Sequence, residues 1–459
     1  MKKIISRLTA VLLAGIFLLP QAKANAVSAA VPDNIRVGLA YGGSALAEAR
    51  LENSVGSGYR FGITDDAGGF TLLGSTEERK LTLRKTVGEG ISPQAITVQG
   101  TDTGTVLFQF DGSAPALTVL PGADDTLKTE TWFAKRKYFG SFRYSCTGEL
   151  LTVINVLPRE DYINCVISQE MSESWPLEAL KAQAVCARSY AATCTGRHIA
   201  AGFDLCATTH CQAYPGTTRI GVNTTQAAAE TAGLYVWYNG AIASTYYTSS
   251  DGGATESTKN IWGGNEPHLV GVLDPWEATV EAKIPNYRWS VTWTKTDLEL
   301  ALQASGRPVK NLANVTVNPS PTGNAKSVTF TDASGESWTI LGDKARIFLK
   351  TGSCRYTVSG GGVYYVDEGG TLPSVAGLLA MDGSGAIAPL SSTDQPYLIT
   401  ADGTEQLKVP PMVGDSFTFS GSGSGHNVGM SQWGAYAMAK AGKTYSDILN
   451  FYFTGIEIR

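Results

Sequence analysis

Residues 166–191 read VISQEMSESWPLEALKAQAVCARSYA, and two helical patterns meet inside them. The first enters from Leu157-Pro158-Arg159-Glu160-Asp161, where a proline followed by acids marks a helix start. DYINCVISQEM carries it on with helical spacing. Ser174 and Pro176 open the second helix, serine as the expected cap and proline in the first turn. Along it Leu177, Leu180, Ala184, Ala187, Ala191 and Cys194 recur at steps of three and four, a buried stripe whose small members allow close packing. Lys181, Val185 and Arg188 share another face. Glu170 is the odd residue. It falls where the first helix ends, facing the negative end of the macrodipole, a placement that raises its pKa and costs roughly a few tenths of a kcal/mol.

On either side of these helices the texture is β. IRVGLAYG, YRFGIT, GFTLLG, TVLFQF, SFRYSC and LLTVINVL have the length and composition of strands between turns. GLYVWYNG and AIASTYYTSS meet through Asn239-Gly240, a strong hairpin signal. The class expected is α+β: a β-rich chain with a few helices. Residues 1–24 read as a signal peptide, 32–150 as a β-rich N-terminal region and 151–284 as the core carrying the chemistry. Residues 285–420 form a β-rich insertion with one helix at TKTDLELALQAS, and 421–459 complete the core with a Gly/Ser loop and two helices.

The bulk numbers narrow the function. In 459 residues the formal charge is −5, which leaves no basic footprint for nucleic acid. Lys2, Lys3 and Arg7, an apolar run from Leu8 to Leu19 and Ala22-Lys23-Ala24 make an export signal too short to span a bilayer. The mature chain is therefore expected outside the cytoplasm, secreted and without a transmembrane anchor. The seven cysteines are an odd number, so they cannot all pair within the chain.

Three places carry candidate chemistry. A surface carboxylate is the ordinary reading of Glu170, yet Met171, Trp175 and Pro176 can lean on it from the following turn. Desolvation together with the helix end favours the protonated form a general acid needs. Glu173 and Glu178 compete, but Glu178 lies in a first helical turn, where an ionised acid is stabilised. In GRHIAAGFDLCATTHCQAYPG, His198, Cys206, His210 and Cys211 offer two imidazoles and two thiolates, a tetrahedral zinc set. A Cys206–Cys211 disulfide explains the same spacing in an oxidising compartment. Around His426, in GSGSGHNVGMSQWGA, glycines allow a sharp turn or a close approach to a ligand.

Together LPREDYINCVISQEMSESWPLEALKAQAVCARSYA, CQAYPG, SSDGGATES with IWGG and PHLVGVLDP, and GHNVGMSQWGAYAMAKAGKTYSDILNFYFTG resemble the stage II sporulation protein D / LytB family, in its order. The likeness covers residues 150–280 and 425–459. It implies a peptidoglycan lytic transglycosylase, or a non-catalytic modifier of a cell-wall amidase. Glu170 falls on the family's catalytic acid. Lys181, Arg188 and His426 fall on positions implied to face the glycan. A structural zinc is implied beside the site, on Cys206, His210, Cys211 and His198. Peptidoglycan glycan strands and a cell-wall amidase are the implied partners. Asn427 stands where the family motif has glycine, and since Asn tolerates left-handed backbone the turn is expected to survive.

Overall fold

Alternation organises the first part of the chain. In Ala49–Asn53 every second side chain is buried, the period-two pattern of a strand with one wet face. The computed structural model describes residues 32–459, with breaks at 54, 66–67, 123–127 and 308 and only isolated strands between 363 and 411. The signal segment expected over 1–24 lies outside the described residues.

A seven-stranded sheet runs Leu205–Cys206, Asn34–Ala40, Leu150–Pro158, Ser141–Thr147, Leu117–Pro121, Tyr59–Thr64, Phe70–Thr76. A six-stranded sheet runs Arg136–Tyr138, Thr131–Phe133, Ala49–Asn53, Lys80–Lys85, Ile96–Gly100, Val106–Phe110. Asn34–Ala40 lies antiparallel to Leu150–Pro158, with Val37 opposite Asn155. On its other edge Val37 and Gly38 pair in parallel with Leu205 and Cys206. All six stretches expected as strands from composition are strands, and the class is α+β with β dominant.

Leu150–Pro158 feeds α1 (Arg159–Glu170), with Pro158 at its N-cap, where a missing N–H costs no helical bond. The second helix, α2 (Leu177–Cys194), starts behind Pro176, and no side chain caps it. Ser174 is not the cap. It belongs to a turn in which Trp175 N donates to Ser172 O, and the two serine hydroxyls lie 3.0 Å apart. The remaining helices are α3 (Val222–Glu230), α4 (Thr258–Trp262), α5 (Lys295–Ala304), α6 (Gly342–Leu349), α7 (Gln432–Lys440) and α8 (Tyr445–Tyr452).

One hydrophobic core joins the N-terminal strands to α1, α2, α7 and α8. Leu180, Ala184, Ala187 and Ala191 on α2 are wholly buried in it. A buried leucine contributes about 1.5–3 kcal/mol and alanine much less. What the alanines gain is close approach, so that Cys186 Sγ lies 3.9 Å from Met430 Sδ just before α7. A separate core, from Leu298 to Phe419, serves the 285–420 segment. The helices that carry the functional motifs thus rest on the N-terminal sheets.

Candidate active site

Glu170 closes α1, and Met171 N donates back to Ile167 O to end the helix. The side chain is only partly exposed. Gln432 Nε2 donates to its Oε2 at 3.1 Å, and the phenol of Tyr247 donates to it as well. Burial pushes the carboxyl pKa up, and these two donors pull against it without winning. Both partners are neutral. A carboxyl that is desolvated and has no cation to hold it ionised keeps its proton to higher pH, as a general acid requires.

The donors are themselves held. Tyr162 Oη donates to Gln212 Oε1 at 2.8 Å, and Gln212 Nε2 donates to Tyr247 Oη at 3.0 Å. Gln432 Nε2 also reaches Gln183 Oε1 on α2, at 3.4 Å. Tyr247–Thr248 pairs in parallel with Met430–Ser431, which fixes Tyr247 and Gln432 side by side. Sequence reading did not single out Tyr247, Gln183, Gln212 or Gln432, although Gln212 lies inside CQAYPG and Gln432 inside GMSQWGA. The signal was a polar residue of fixed place within each motif.

The rival acids have other employment. Glu173 accepts from the backbone N–H groups of Asn223 (2.6 Å) and Thr224 (3.0 Å), capping α3. Glu178 accepts from Tyr445 N at 2.8 Å at the start of α8, and pairs with Lys181. Both carboxylates are thus occupied as acceptors at helix N-termini, away from Glu170.

Lys181 and Arg188 do share a face, but that face looks at α3 rather than a groove. Lys181 Nζ pairs with Glu178 (2.8 Å) and Glu230 (2.6 Å). Arg188 is fully buried. Its guanidinium meets Glu160 at 2.9 and 2.6 Å and donates to Leu234 O at 3.2 Å. The expectation that Arg188 binds glycan is corrected by this: a wholly buried, doubly paired guanidinium joins α1 to α2 and the chain leaving α3. Lys181, nearly covered and tied to two acids, has the same structural part.

His426 lies on the turn before α7. Its Nδ1 accepts from Val428 N at 3.1 Å, and the ring also bonds the Tyr247 carbonyl. Burial pushes the imidazole down to about 4, so at neutral pH the ring is uncharged. Tyr247 therefore joins the two residues, its phenol on Glu170 and its carbonyl on His426. Both ring nitrogens of His426 are engaged within the protein. What stands open beside it is Trp262, 41% exposed, with its ring 4.8 Å from His426 and 5.0 Å from Tyr246. Asn427 takes φ 62°, the left-handed conformation a glycine would accept. Its Nδ2 donates to Asp251 O and Asn324 Oδ1, both at 2.9 Å, so the turn survives and is tied down.

The four metal-ligand candidates come together. The donor atoms of His198, Cys206, His210 and Cys211 all lie within 4.8 Å of one another. His198 Nε2 is 3.2 Å from Cys211 Sγ, and His210 Nδ1 is 3.5 Å from Cys211 Sγ and 3.6 Å from Cys206 Sγ. Zinc bonds of about 2.0–2.3 Å place tetrahedral ligand atoms roughly 3.3–3.8 Å apart, so the set fits such an ion. Both cysteines are free thiols. Burial opposes the Cys206 thiolate, but hydrogen bonds from Thr208, His210 and Cys211 prevail and lower its pKa to about 5. His198 is oriented by Phe203, stacked at 4.8 Å. A Cβ on Gly38 would come within 2.5 Å of that phenyl ring, which is why this strand position carries glycine.

Residues 147–238 match the family described as stage II sporulation protein (SpoIID). That span is similar to the SpoIID family. The matched span holds α1, α2, Glu170, the thiol–imidazole cluster and Gln212. Three relatives match over longer stretches. An uncharacterized protein of Brachyspira hyodysenteriae is 29% identical over 70% of this chain and 72% of its own length. The amidase enhancer of Bacillus subtilis is 31% identical over 63% of this chain but only 39% of the enhancer, which extends well past the match. Stage II sporulation protein D of Bacillus subtilis is 26% identical over 66% of the chain and 74% of that protein.

Proposed function

We propose that this chain acts on peptidoglycan outside the cytoplasm and cleaves the bond between N-acetylmuramic acid and N-acetylglucosamine as a lytic transglycosylase. Protonated Glu170 gives its proton to the glycosidic oxygen as the C1–O bond breaks. The resulting carboxylate then takes the proton of the muramic C6 hydroxyl, and O6 closes on C1 to form a 1,6-anhydro ring. Because the nucleophile belongs to the substrate, one carboxyl suffices. A hydrolytic glycosidase instead needs a second carboxyl about 5–9 Å away. The observation that carries this reading is the raised pKa of Glu170 between two neutral donors. Trp262 offers an open ring beside His426 for a pyranose face to stack on.

A zinc ion would be held by His198, Cys206, His210 and Cys211. Four protein ligands leave no position for a reacting water, so its part is structural. That weighs against a metal-dependent amidase, which needs an open site.

A second reading, a non-catalytic enhancer of a separate cell-wall amidase, is favoured by the name of the Bacillus subtilis relative. Mass spectrometry of peptide-free glycan strands after incubation separates the readings. Transglycosylase action leaves anhydro-muramic ends, and Glu170→Gln abolishes them. If the strands stay intact with wild-type protein while a partner amidase is stimulated equally by wild type and Glu170→Gln, the enhancer is the right description.

A further inference from the structure

Beneath the loop that follows Tyr247, three carboxylates are gathered out of water. Asp251, Asp274 and Glu277 are 0%, 3% and 0% exposed, and one carboxylate oxygen from each lies within 4.8 Å of the other two. Burying one carboxylate without a counter-charge is unfavourable, and each further one adds repulsion.

The hydrogen bonds do not supply that charge. Glu277 accepts from Ser250 Oγ (2.8 Å), Asp251 N (2.8 Å), Gly252 N (3.0 Å) and Ser431 Oγ. Asp274 accepts from Trp276 N at 2.7 Å and Tyr452 Oη at 2.6 Å, one bond to each oxygen. Asp251 Oδ1 accepts from Gly253 N at 2.7 Å. Every one of these donors is neutral. Asp251 Oδ2 accepts nothing at all, although the residue is wholly buried. Such an orphaned carboxylate oxygen, facing two more acids, is the anomaly to explain.

We infer that Asp251, Asp274 and Glu277 form a binding site for a hard divalent cation of the calcium class, distinct from the thiol–imidazole cluster. Calcium–oxygen bonds of about 2.3–2.6 Å allow two ligand oxygens of one ion to stand at most about 5 Å apart, and the triad meets that limit. Asp251 Oδ2 is a free ligand, and each oxygen of Asp274 keeps a lone pair beyond the single bond it accepts. Glu277, with two donors on each oxygen, supplies charge and anchors the loops. An all-oxygen donor set suits a hard ion and not a soft one. The ion would tie residues 250–253 and 274–277 to Ser431, whose hydroxyl also caps α7 by accepting from Gly434 N at 3.1 Å.

Terbium(III) is a calcium surrogate whose emission is sensitised by nearby aromatic rings, here Trp276 and Tyr452. The full-length protein should give sensitised terbium emission that calcium displaces. Asp251→Asn, which keeps the shape and the bond to Gly253 N, should lose it. Calcium alone should raise the melting temperature by several degrees, as any ligand of the native state does, and should do so in Cys211→Ser as well, which separates this site from the thiol cluster. The inference is overturned if wild-type protein shows neither emission nor a calcium-dependent shift and Asp251→Asn melts no lower than wild type. In that case Asp251 and Asp274 share a proton.

Discussion

Gln432 Nε2 lies 3.1 Å from Glu170 Oε2 although 262 positions separate them in the chain. The contact joins the end of α1 to the start of α7, and the acid is completed only when the chain's last helices dock. Gln432 and Tyr247 both favour the ionised carboxyl, so removing either raises its pKa further. On the proposed mechanism the protonated form is the acid, so activity is lost as pH rises through that pKa. Gln432→Met should therefore move the alkaline limb of the pH–rate profile to higher pH, while Tyr247→Phe does the same. A limb that stays in place or moves down would remove Glu170 as its owner. His426, pushed down to about 4, contributes no step between pH 5 and 8.

Glu170→Gln separates catalysis from folding. General acid–base catalysis contributes typically about 10²–10⁴ in rate, so anhydro-end formation on peptide-free glycan should fall by at least about a hundredfold. The folded-state pKa of Glu170 lies above its unfolded value. Ionising it disfavours the fold, so stability is lost as pH rises from the unfolded pKa through the folded one. Above that window the amide variant should melt at or above wild type. A variant that loses activity by unfolding would show the opposite in the same melt.

How far these residues were legible follows from their physics. Local periodicity places α1, α2 and the six strands because each is decided within a few residues. The isolation of Glu170 was legible from the helix end and the apolar neighbours after it. Its donors were not, because a lone glutamine or tyrosine carries no periodic signal and Tyr247 and Gln432 meet Glu170 only through long-range pairing. The shared face of Lys181 and Arg188 was correct as geometry, but one sequence does not say what packs on a face. Here α3, a helix sequence reading did not anticipate, covers it. The buried triad was hidden for the same reason: SSDGG and LDPWE look like solvated loops until they fold together.

Arg188 should behave as a structural ion pair. Removing one partner of a buried pair leaves the other uncompensated and costs up to about 3–5 kcal/mol. Glu160 is partly exposed, so the lower part of that range applies. Arg188→Met should lose roughly 2–4 kcal/mol in urea unfolding. Lys181→Ala, where the lysine and both its acid partners keep contact with water, should lose about 1 kcal/mol or less. Glycan binding by folded Arg188→Met should match wild type, and a selective loss of binding would restore the contact role.

Asn427 tests the turn beside His426. Gly at this position accepts φ 62° freely but gives up the two bonds to Asp251 and Asn324. A buried hydrogen bond is worth about 1 kcal/mol, and losing the unpartnered Asn427 Oδ1 returns part of that. Asn427→Gly should therefore cost roughly 1–2 kcal/mol. Asn427→Ala should cost about 1–2 kcal/mol more, since alanine is strained in the left-handed region. Equal melting temperatures for the two variants would mean that backbone conformation at this turn is not what the asparagine supplies.

Cys211 and Gln212 are consecutive, so the thiol cluster holds one end of the chain of bonds that reaches Glu170 through Gln212 and Tyr247. If the proposed zinc is bound, Cys211→Ser replaces a soft ligand by a weak one, and its first effect should be on the fold around that chain. A chelator should lower the melting temperature of wild type by several degrees and leave Cys211→Ser, already lowered, almost unmoved. Calcium added back in excess must be present throughout, so that only the soft-metal site is sampled. Once the residual folded fraction is accounted for, turnover per folded molecule should fall by less than about tenfold, because the cluster supports the acid and touches no substrate. If chelation instead abolishes turnover in protein that stays fully folded, the metal takes part in the reaction and the single-carboxyl mechanism is wrong.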